Sequence, residues 1–197
     1  VTGVQTCALP ISRLTTKFSE NVLDSTNSFE FMITDEAQLA GLPPSAVAAA
    51  RQSAEQKGLE GWRFTLQAPS YLAVMTYLDD RSIREKLYRA YATRAASGKH
   101  DNREITLQIL ALRREKAKLL GFAHFADLAV VDRMAKTGAA AEKFLTDLKE
   151  KTESFFAREN EQLRAFAGGM ELQPWDIGYY AEKQRLALYD FDRSEEH

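Results

Sequence analysis

Histidine is the residue type best suited to acid–base or metal chemistry, and this chain has three histidines. His100 stands beside Asp101 at a predicted loop-to-helix junction, where Asp101 supplies the cap and His100 is expected to be solvated. His124 and Asp127 are three residues apart, so a helix could present both to a metal ion on one face. Two ligands do not complete a zinc site, and the flanking phenylalanines favour packing. His197 lies in the short charged run RSEEH at the C-terminal end of the sequence.

The motifs that mark common catalytic centres are absent from all 197 residues. There is no H-E-x-x-H, the pattern that places two imidazoles on one helical face beside a general base. No G-x-S-x-G elbow and no glycine-rich phosphate loop occurs. The single cysteine, Cys7, has no plausible histidine partner. From the residues alone, no catalytic, cofactor-binding or metal-binding role is indicated.

Charged residues make up 27% of the chain, and the formal net charge is −2. This balance argues against nucleic acid as a partner, because nucleic-acid binding needs a concentrated basic surface. Glu85 and Glu115 interrupt two basic groups, which we therefore assign to solvated helix faces: Arg81, Arg84, Lys86 and Arg89, and Arg113, Arg114, Lys116 and Lys118. A third set of mixed charges predicts exposed i,i+4 pairs rather than an acid–base dyad: Lys149, Lys151, Glu153, Arg158, Glu159 and Glu161.

Four tyrosines offer both apolar area and a hydroxyl group, and together they could line a peptide groove. Their helical spacing instead favours positions in the core or in a second layer for most of them. These residues are Tyr71, Tyr77, Tyr88 and Tyr91.

Apolar residues recur mostly at helical spacing, so the predicted fold class is mainly α, with one or two short strands. Three apolar stripes carry this prediction: Leu14, Phe18 and Val22; Ile83, Leu87 and Tyr91; and Phe144, Leu148, Phe155, Leu163 and Phe166. Trp62, Phe64 and Leu66 alternate with polar residues, which predicts a half-buried strand. The run 29–33 suits a second strand or a buried connector. No linker rich in serine, glycine or proline divides these elements, so one helical unit is expected.

Two proline positions predict helix starts, since a first helical residue needs no backbone N–H. Pro43 and Pro44 open an alanine-rich helix that runs to about Lys57 and is stopped by Gly58, and Pro174 opens the last helix. Asp176 falls in the first turn of that last helix, where a negative charge meets the positive helix end.

Membrane insertion and disulfide formation are both disfavoured by composition. No stretch approaches the roughly 18 apolar residues of a membrane span, so no membrane partner is expected. One cysteine cannot form an internal disulfide, which favours a reducing, cytoplasmic location.

The two ends of the chain differ in character from the rest. VTGVQTCALPIS at 1–12 has neither a secretory pattern nor helical periodicity, and RSEEH at 193–197 is a short charged run. Both strings resemble read-through of sequencing adapters. We therefore expect residues 1–12 and 193–197 to be non-native and residues 13–192 to be an incomplete, internal part of a longer protein.

The segment LQPWDIGYYAEKQR, at 172–185, resembles a distinctive stretch of the thimet oligopeptidase family of zinc metallopeptidases, and in particular its bacterial oligopeptidase A enzymes. The residues that carry this resemblance are Pro174, Trp175, Asp176, Tyr179, Tyr180, Glu182 and Lys183. Three more segments are similar to the family in the same order: Phe18–Thr26, Pro69–Ala95 and Leu112–Ala129. The loop at 97–100 departs from the pattern, since relatives often carry a few more residues there.

The resemblance implies the helical wall of a neurolysin-like, clam-shaped metallopeptidase whose deep channel admits short peptides and excludes folded proteins. In that family, Zn²⁺ is bound by the two histidines of H-E-x-x-H and a downstream glutamate, and the motif's own glutamate is the general base. The zinc helix lies C-terminal to the P-W-D segment, so no catalytic or metal residue is assigned to this chain.

The resemblance therefore predicts a zinc-free, inactive piece of a cytoplasmic metalloendopeptidase. Its partners would be short peptide substrates and the missing C-terminal catalytic region. Two alternatives remain open: the whole protein is a dipeptidyl carboxypeptidase of the same superfamily, or the chain is a stand-alone helical interaction module.

Overall fold

The computed structural model describes residues 2–189, with side chains from Cys7 onward, and this part of the chain is mainly helical. The α-helices are α1 (Thr2–Ser28), α2 (Pro44–Glu55), α3 (Ala68–Tyr77), α4 (Arg81–Ala92), α5 (Arg103–Leu119), α6 (Phe125–Val130), α7 (Gly138–Phe166) and α8 (Pro174–Tyr189). Strands β1 (Phe31–Ile33) and β2 (Trp62–Phe64) pair antiparallel, with Met32 opposite Arg63. The mainly α class and the two short strands are confirmed.

The chain forms two compact units, although its sequence carries no linker. The first unit comprises Val1–Leu23 and Ala95–Arg158, and the second comprises Asp24–Arg94 and Glu159–His197. Two of the three boundaries fall inside the continuous helices α1 and α7. Composition cannot mark such a boundary, because a continuous helix needs no glycine or proline where it passes from one unit to the next.

The second unit holds a continuous apolar core. Every element of this unit from β1 to α4 contributes, and Trp175 joins from α8. The core residues are Ile33, Leu39, Ala50, Phe64, Leu66, Tyr71, Val74, Met75, Leu78, Ile83, Leu87 and Trp175. Burying this many large apolar side chains is the main stabilising contribution to the unit. The packing therefore fixes α3 and α4 and, through Trp175, the start of α8.

In the first unit, a pair of buried amides joins α1 to the start of α5. Asn21 Nδ2 donates a hydrogen bond to Asn102 Oδ1 at 2.8 Å, and Asn102 Nδ2 donates to the Phe18 carbonyl at 3.0 Å. The backbone N–H of Asn102 donates to the Ala95 carbonyl at 2.8 Å. Both asparagines are thus buried with polar partners, as buried amides must be.

Helix α1 starts far earlier than the apolar stripe at Leu14 predicts. It is continuous from Thr2, even though Pro10 lies inside it and lacks a backbone donor. Extending an existing helix costs much less than nucleating one. Cys7 also holds this part of α1 in place, since its side chain is buried and its thiol hydrogen-bonds Glu115 of α5. Burial raises the pKa of the Cys7 thiol, and the negative charge of Glu115 raises it further. Residues 2–12 are therefore helical, although they lack helical periodicity.

The predicted apolar stripe of helix α7 is mostly exposed to solvent. Of the five residues in its predicted apolar stripe, only Leu163 is buried, and the other four are exposed. The periodicity identifies the helix correctly, but it cannot say whether the apolar face of that helix is covered.

Gly41 lies against the end of α3, in a backbone conformation that favours glycine. Gly41 has φ +89°, and a Cβ there would lie 2.2 Å from the Tyr77 carbonyl oxygen and 2.6 Å from Asp79 Oδ1. Gly58 also has a positive φ, of +67°, but open space around it. Gly58→Ala should therefore lower the free energy of unfolding by about 1–2 kcal/mol, because alanine is strained at a positive φ. Gly41→Ala should lower the free energy of unfolding by about 1–3 kcal/mol more, because its Cβ would also clash with Tyr77 and Asp79.

Urea unfolding of the two variants measures this difference. Equal losses for Gly41→Ala and Gly58→Ala would show that the close approach to Tyr77 and Asp79 is not present in solution.

Candidate functional site

A buried carboxylate lies at the start of α8, within the segment that carries the family resemblance. Asp176 is the third residue of α8, and its side chain is 0% exposed. Its Oδ2 accepts a hydrogen bond from the Gln173 N–H at 3.0 Å, and its own N–H donates to the Gln173 carbonyl at 2.8 Å. The carboxylate thus satisfies an amide at the positive end of the helix. Pro174 fits the first helical position for the reason that the sequence suggests.

Two arginines of α4 neutralise the Asp176 carboxylate. Arg81 binds it in a bidentate manner, with Nε 3.0 Å from Oδ1 and Nη2 2.7 Å from Oδ2. Arg84 adds a second partner, with Nη2 3.0 Å from Oδ1. Charge-assisted pairs of this geometry are the strongest hydrogen bonds that side chains make. We call Arg81, Arg84 and Asp176 the Arg–Asp cluster.

Arg84 is as deeply buried as its partner, with 1% of the residue exposed. Its Nη1 donates to the carbonyls of Leu78 at 2.7 Å and Asp79 at 3.0 Å, and its Nε donates to the Trp175 carbonyl at 3.1 Å. One guanidinium therefore bridges the end of α3 and the start of α8. The prediction that Arg84 lies on a solvated face is wrong, because these acceptors replace the water that a buried cation loses.

The electrostatic balance of the cluster favours the charged form of Asp176. Burial alone would raise the pKa of this carboxyl. Hydrogen bonds from Arg81, the Gln173 N–H and Arg84 outweigh burial and hold its pKa below the ordinary value. The carboxylate oxygens are already engaged by these donors, so Asp176 is not placed to act as a general base.

Tyr179 covers the cluster one helical turn after Asp176. Its ring centroid lies 4.0 Å from Arg84 Cζ, a cation–π distance, and its hydroxyl donates to Asp79 Oδ1 at 2.7 Å. Lys183 Nζ lies 3.3 Å from the same oxygen. Burial, followed by the hydrogen bond to Asp79, raises the pKa of Tyr179 to about 12. Two further residues of the family-like segment thus hold the end of α3 against α8.

The four tyrosines do not form one groove. The rings of Tyr71 and Tyr91 stack at 4.1 Å, and Tyr88 lies 5.7 Å from Trp175. Tyr77 is the member of this set that lines a groove of about 480 Å³ between α2, β2 and α3. The expectation that most of these residues are core or second-layer residues is confirmed.

The histidine candidates lie at the ends of short elements. His124 is the N-terminal flanking residue of α6 and is exposed, and His100 ends a 3-10 turn at Gly98–His100. Asp127 Oδ1 accepts a hydrogen bond from the Gly138 N–H at 2.8 Å. This bond fixes the start of α7, so Asp127 has a structural role.

The donor set does not fit a zinc ion. Among residues whose placement is described, no group of three or more His, Cys, Asp or Glu side chains converges so as to hold a metal. The Asp176 carboxylate is surrounded by two guanidinium groups, which would repel a cation. No catalytic step through zinc is therefore derived from these residues.

The Arg–Asp cluster is the feature that sequence reasoning missed. Arg81 and Arg84 are three residues apart on α4 and so share a face, but their partner lies more than 90 residues later. The available signal was Asp176 itself, for which the sequence indicated only an interaction with the helix end. Single-sequence patterns do not pair distant charges.

Neutralising Asp176 tests the cluster. Asp176→Asn removes the charge that compensates two guanidiniums, one of them buried, and should lower the free energy of unfolding by about 3–5 kcal/mol at pH 7. Because the folded-state pKa of Asp176 is depressed, the wild-type advantage is present above about pH 4 and is lost as the pH falls through the folded-state pKa. Urea unfolding from pH 7 down to pH 3 measures both effects.

Asp101→Asn is the matched control. Asp101 also pairs with an arginine, with Oδ2 2.6 Å from Arg103 Nη2, but that guanidinium is largely exposed. Asp101→Asn should therefore lower the free energy of unfolding much less than Asp176→Asn does. Similar losses for the two variants would contradict the claim that burial makes the Asp176 pair important.

Helices that could cross a membrane are not found in the part of the chain that the structure describes. None of them combines the necessary length with an apolar composition.

Comparison with known proteins places the chain in a family. Residues 74–197 match peptidase family M3. Oligopeptidase A of Haemophilus influenzae is 47% identical over 194 residues, which cover 94% of this chain and 28% of that enzyme. Oligopeptidase A of Escherichia coli is 49% identical over 191 residues, covering 92% of this chain and 28% of the enzyme. The dipeptidyl carboxypeptidase of Escherichia coli is 33% identical over 188 residues, with the same coverage of both chains.

This chain therefore spans a little over a quarter of the length of the curated relatives that it matches. The match to the family covers more than half of the chain, and it includes α4, α8 and the whole Arg–Asp cluster. The chain belongs to peptidase family M3.

Proposed function

We propose that this chain is part of the helical wall of a zinc-dependent metalloendopeptidase of the oligopeptidase A type, which hydrolyses short peptides. The observation that carries the proposal is the 47–49% identity to two oligopeptidases A along more than nine-tenths of the chain. A stand-alone interaction module would have no reason to match them over this length.

The role of these residues in the whole protein is to position, and none of them is proposed to touch substrate or zinc. The Arg–Asp cluster, Tyr179 and Lys183 fix the first turns of α8 to the end of α3. A rigid start for α8 sets the direction in which the polypeptide continues. Side chains that hold a reacting group need this kind of support from the surrounding structure.

Zinc would supply the activated water and the Lewis acid of the reaction, and we assign its ligands to residues outside this chain. The support is chemical: H-E-x-x-H is missing from the sequence, and the described side chains provide no alternative donor set. The isolated chain is therefore proposed to be zinc-free and inactive.

The whole protein is proposed to be cytoplasmic. A cytoplasmic location agrees with the single cysteine, and one relative, from Arabidopsis thaliana, is named a probable cytosolic oligopeptidase A.

Residues 1–12 and 193–197 are proposed to be foreign to the natural protein. Of these, residue 1 and residues 193–197 lie outside the described residues. Recovery of the uninterrupted reading frame tests this point.

A dipeptidyl carboxypeptidase is the second candidate, supported by the 33% identity to the Escherichia coli enzyme of that name. The lower identity favours the first candidate. The two differ in the need for a free C-terminus. A peptide with an amidated C-terminus would still be cut internally by an endopeptidase, whereas a dipeptidyl carboxypeptidase would leave it intact.

The main test compares this chain with the protein encoded by the uninterrupted reading frame. A quenched fluorogenic peptide of about ten residues and metal analysis provide the readouts. The whole protein should hold about one zinc per chain and cleave the peptide in a chelator-sensitive manner, as expected for a catalytic zinc site. This chain should show neither property. His124→Ala in the whole protein is the control and should leave zinc content and cleavage unchanged.

Two outcomes would overturn the proposal. Stoichiometric zinc with chelator-sensitive cleavage by the present chain would contradict the assignment of zinc to outside residues. A whole protein without zinc-dependent cleavage would contradict the peptidase function itself.

A further inference from the structure

Helix α7 presents a face of large apolar side chains to solvent. Phe144 is 66% exposed, Leu145 63%, Leu148 47% and Phe155 52%. At 100° per residue, these four side chains fall within a sector of about 100° on the helix. We call this set the α7 apolar face. All four residues belong to the first compact unit.

An exposed apolar face of this size is unusual for a helix on the surface of a folded protein. Monomeric proteins rarely expose contiguous apolar patches beyond a few hundred Å². A surface helix normally carries one apolar stripe and buries it. The opposite side of α7 meets the usual pattern for a solvated surface, since Thr146, Glu150 and Glu153 are exposed there. The α7 apolar face therefore has the composition of a packing surface that the first unit itself does not cover.

We infer that the α7 apolar face is the docking surface for the remaining polypeptide of the same, longer peptidase. This inference rests on the proposed function, in which the chain is part of a whole M3 peptidase. Its support is length: more than two-thirds of each oligopeptidase A has no counterpart in this chain. A second copy of the chain is the competing occupant, and sedimentation would reveal the dimer that it implies.

The test introduces two carboxylates on the α7 apolar face and, in a control, two carboxylates on the opposite side of α7. Leu148→Asp/Phe155→Asp puts two carboxylates on the α7 apolar face. Thr146→Asp/Ala157→Asp is the matched control, because both positions are exposed and lie on the opposite side of the helix. Each pair is made in this chain and, at the aligned positions, in whole oligopeptidase A of Escherichia coli. Melting temperature and sedimentation are measured for all of them.

In this chain, both pairs should change the melting temperature by no more than about 2 °C, because both faces are solvated. In the whole relative, the Leu148→Asp/Phe155→Asp pair should lower it by about 5 °C or more, because charge is then placed in a packed interface, while the control pair is tolerated. An unfolded or insoluble whole enzyme with the first pair, beside a folded control, counts as the same result.

Three results would overturn the inference. Tolerance of the Leu148→Asp/Phe155→Asp pair in the whole relative would show that this face stays solvated. A large loss in the present chain would show that the face is already covered within it. A dimer of this chain that the same pair dissociates would assign the face to a second copy. Since the readout is stability, failure of the peptidase proposal is detected separately, by the cleavage assay.

Discussion

A buried carboxylate has to be neutralised where it lies, and this requirement organises the second unit of the structure. Asp176 has no access to water, so its charge is compensated by Arg81 and Arg84. Arg84 is itself buried and spends its remaining donors on carbonyls at the end of α3 and the start of α8. Removing Asp176 would leave the buried Arg84 cation without a carboxylate, whereas removing Arg84 would leave Asp176 with Arg81 as its cationic partner. Three helices are thereby held in one arrangement.

The residue types of the family-like segment follow from the contacts that they make. Pro174 starts α8, Asp176 forms the ion pairs, and Tyr179 with Lys183 binds Asp79. Trp175 packs beside Tyr88 and supplies a carbonyl to Arg84. These interactions are structural rather than catalytic, and they explain how a segment without any reactive group can be as distinctive as an active-site motif. They also agree with membership of peptidase family M3 in a chain that has no zinc-binding motif.

Local patterns predicted the elements well, and long-range pairing was beyond them. The apolar periodicity around Leu87 and the alternation around Trp62 correspond to α4 and β2. The prediction that Pro174 starts α8 is confirmed, because helix starts depend mainly on neighbouring residues. Arg84 was placed on the wrong side of α4, since a charged residue looks solvated until its distant partner is known. For the same reason, the sequence identified the stripe of α7 without showing that Phe144 and Phe155 are exposed. For the candidate site, the sequence supplied the segment at 172–185 through resemblance, and the structure supplied its contacts.

The coupling between Arg84 and Asp176 is the most direct measure of this account. A double-mutant cycle with Arg84→Met, Asp176→Asn and the combined variant, followed by urea unfolding at pH 7, isolates the energy of the pair from the cost of each change. The buried pair predicts a coupling of about 2 kcal/mol or more, because Asp176→Asn leaves the buried Arg84 charge without a carboxylate and Arg84→Met then removes that charge. Additive losses, with a coupling near zero, would show that the two side chains do not constrain each other and that the fold around α8 is held by other means.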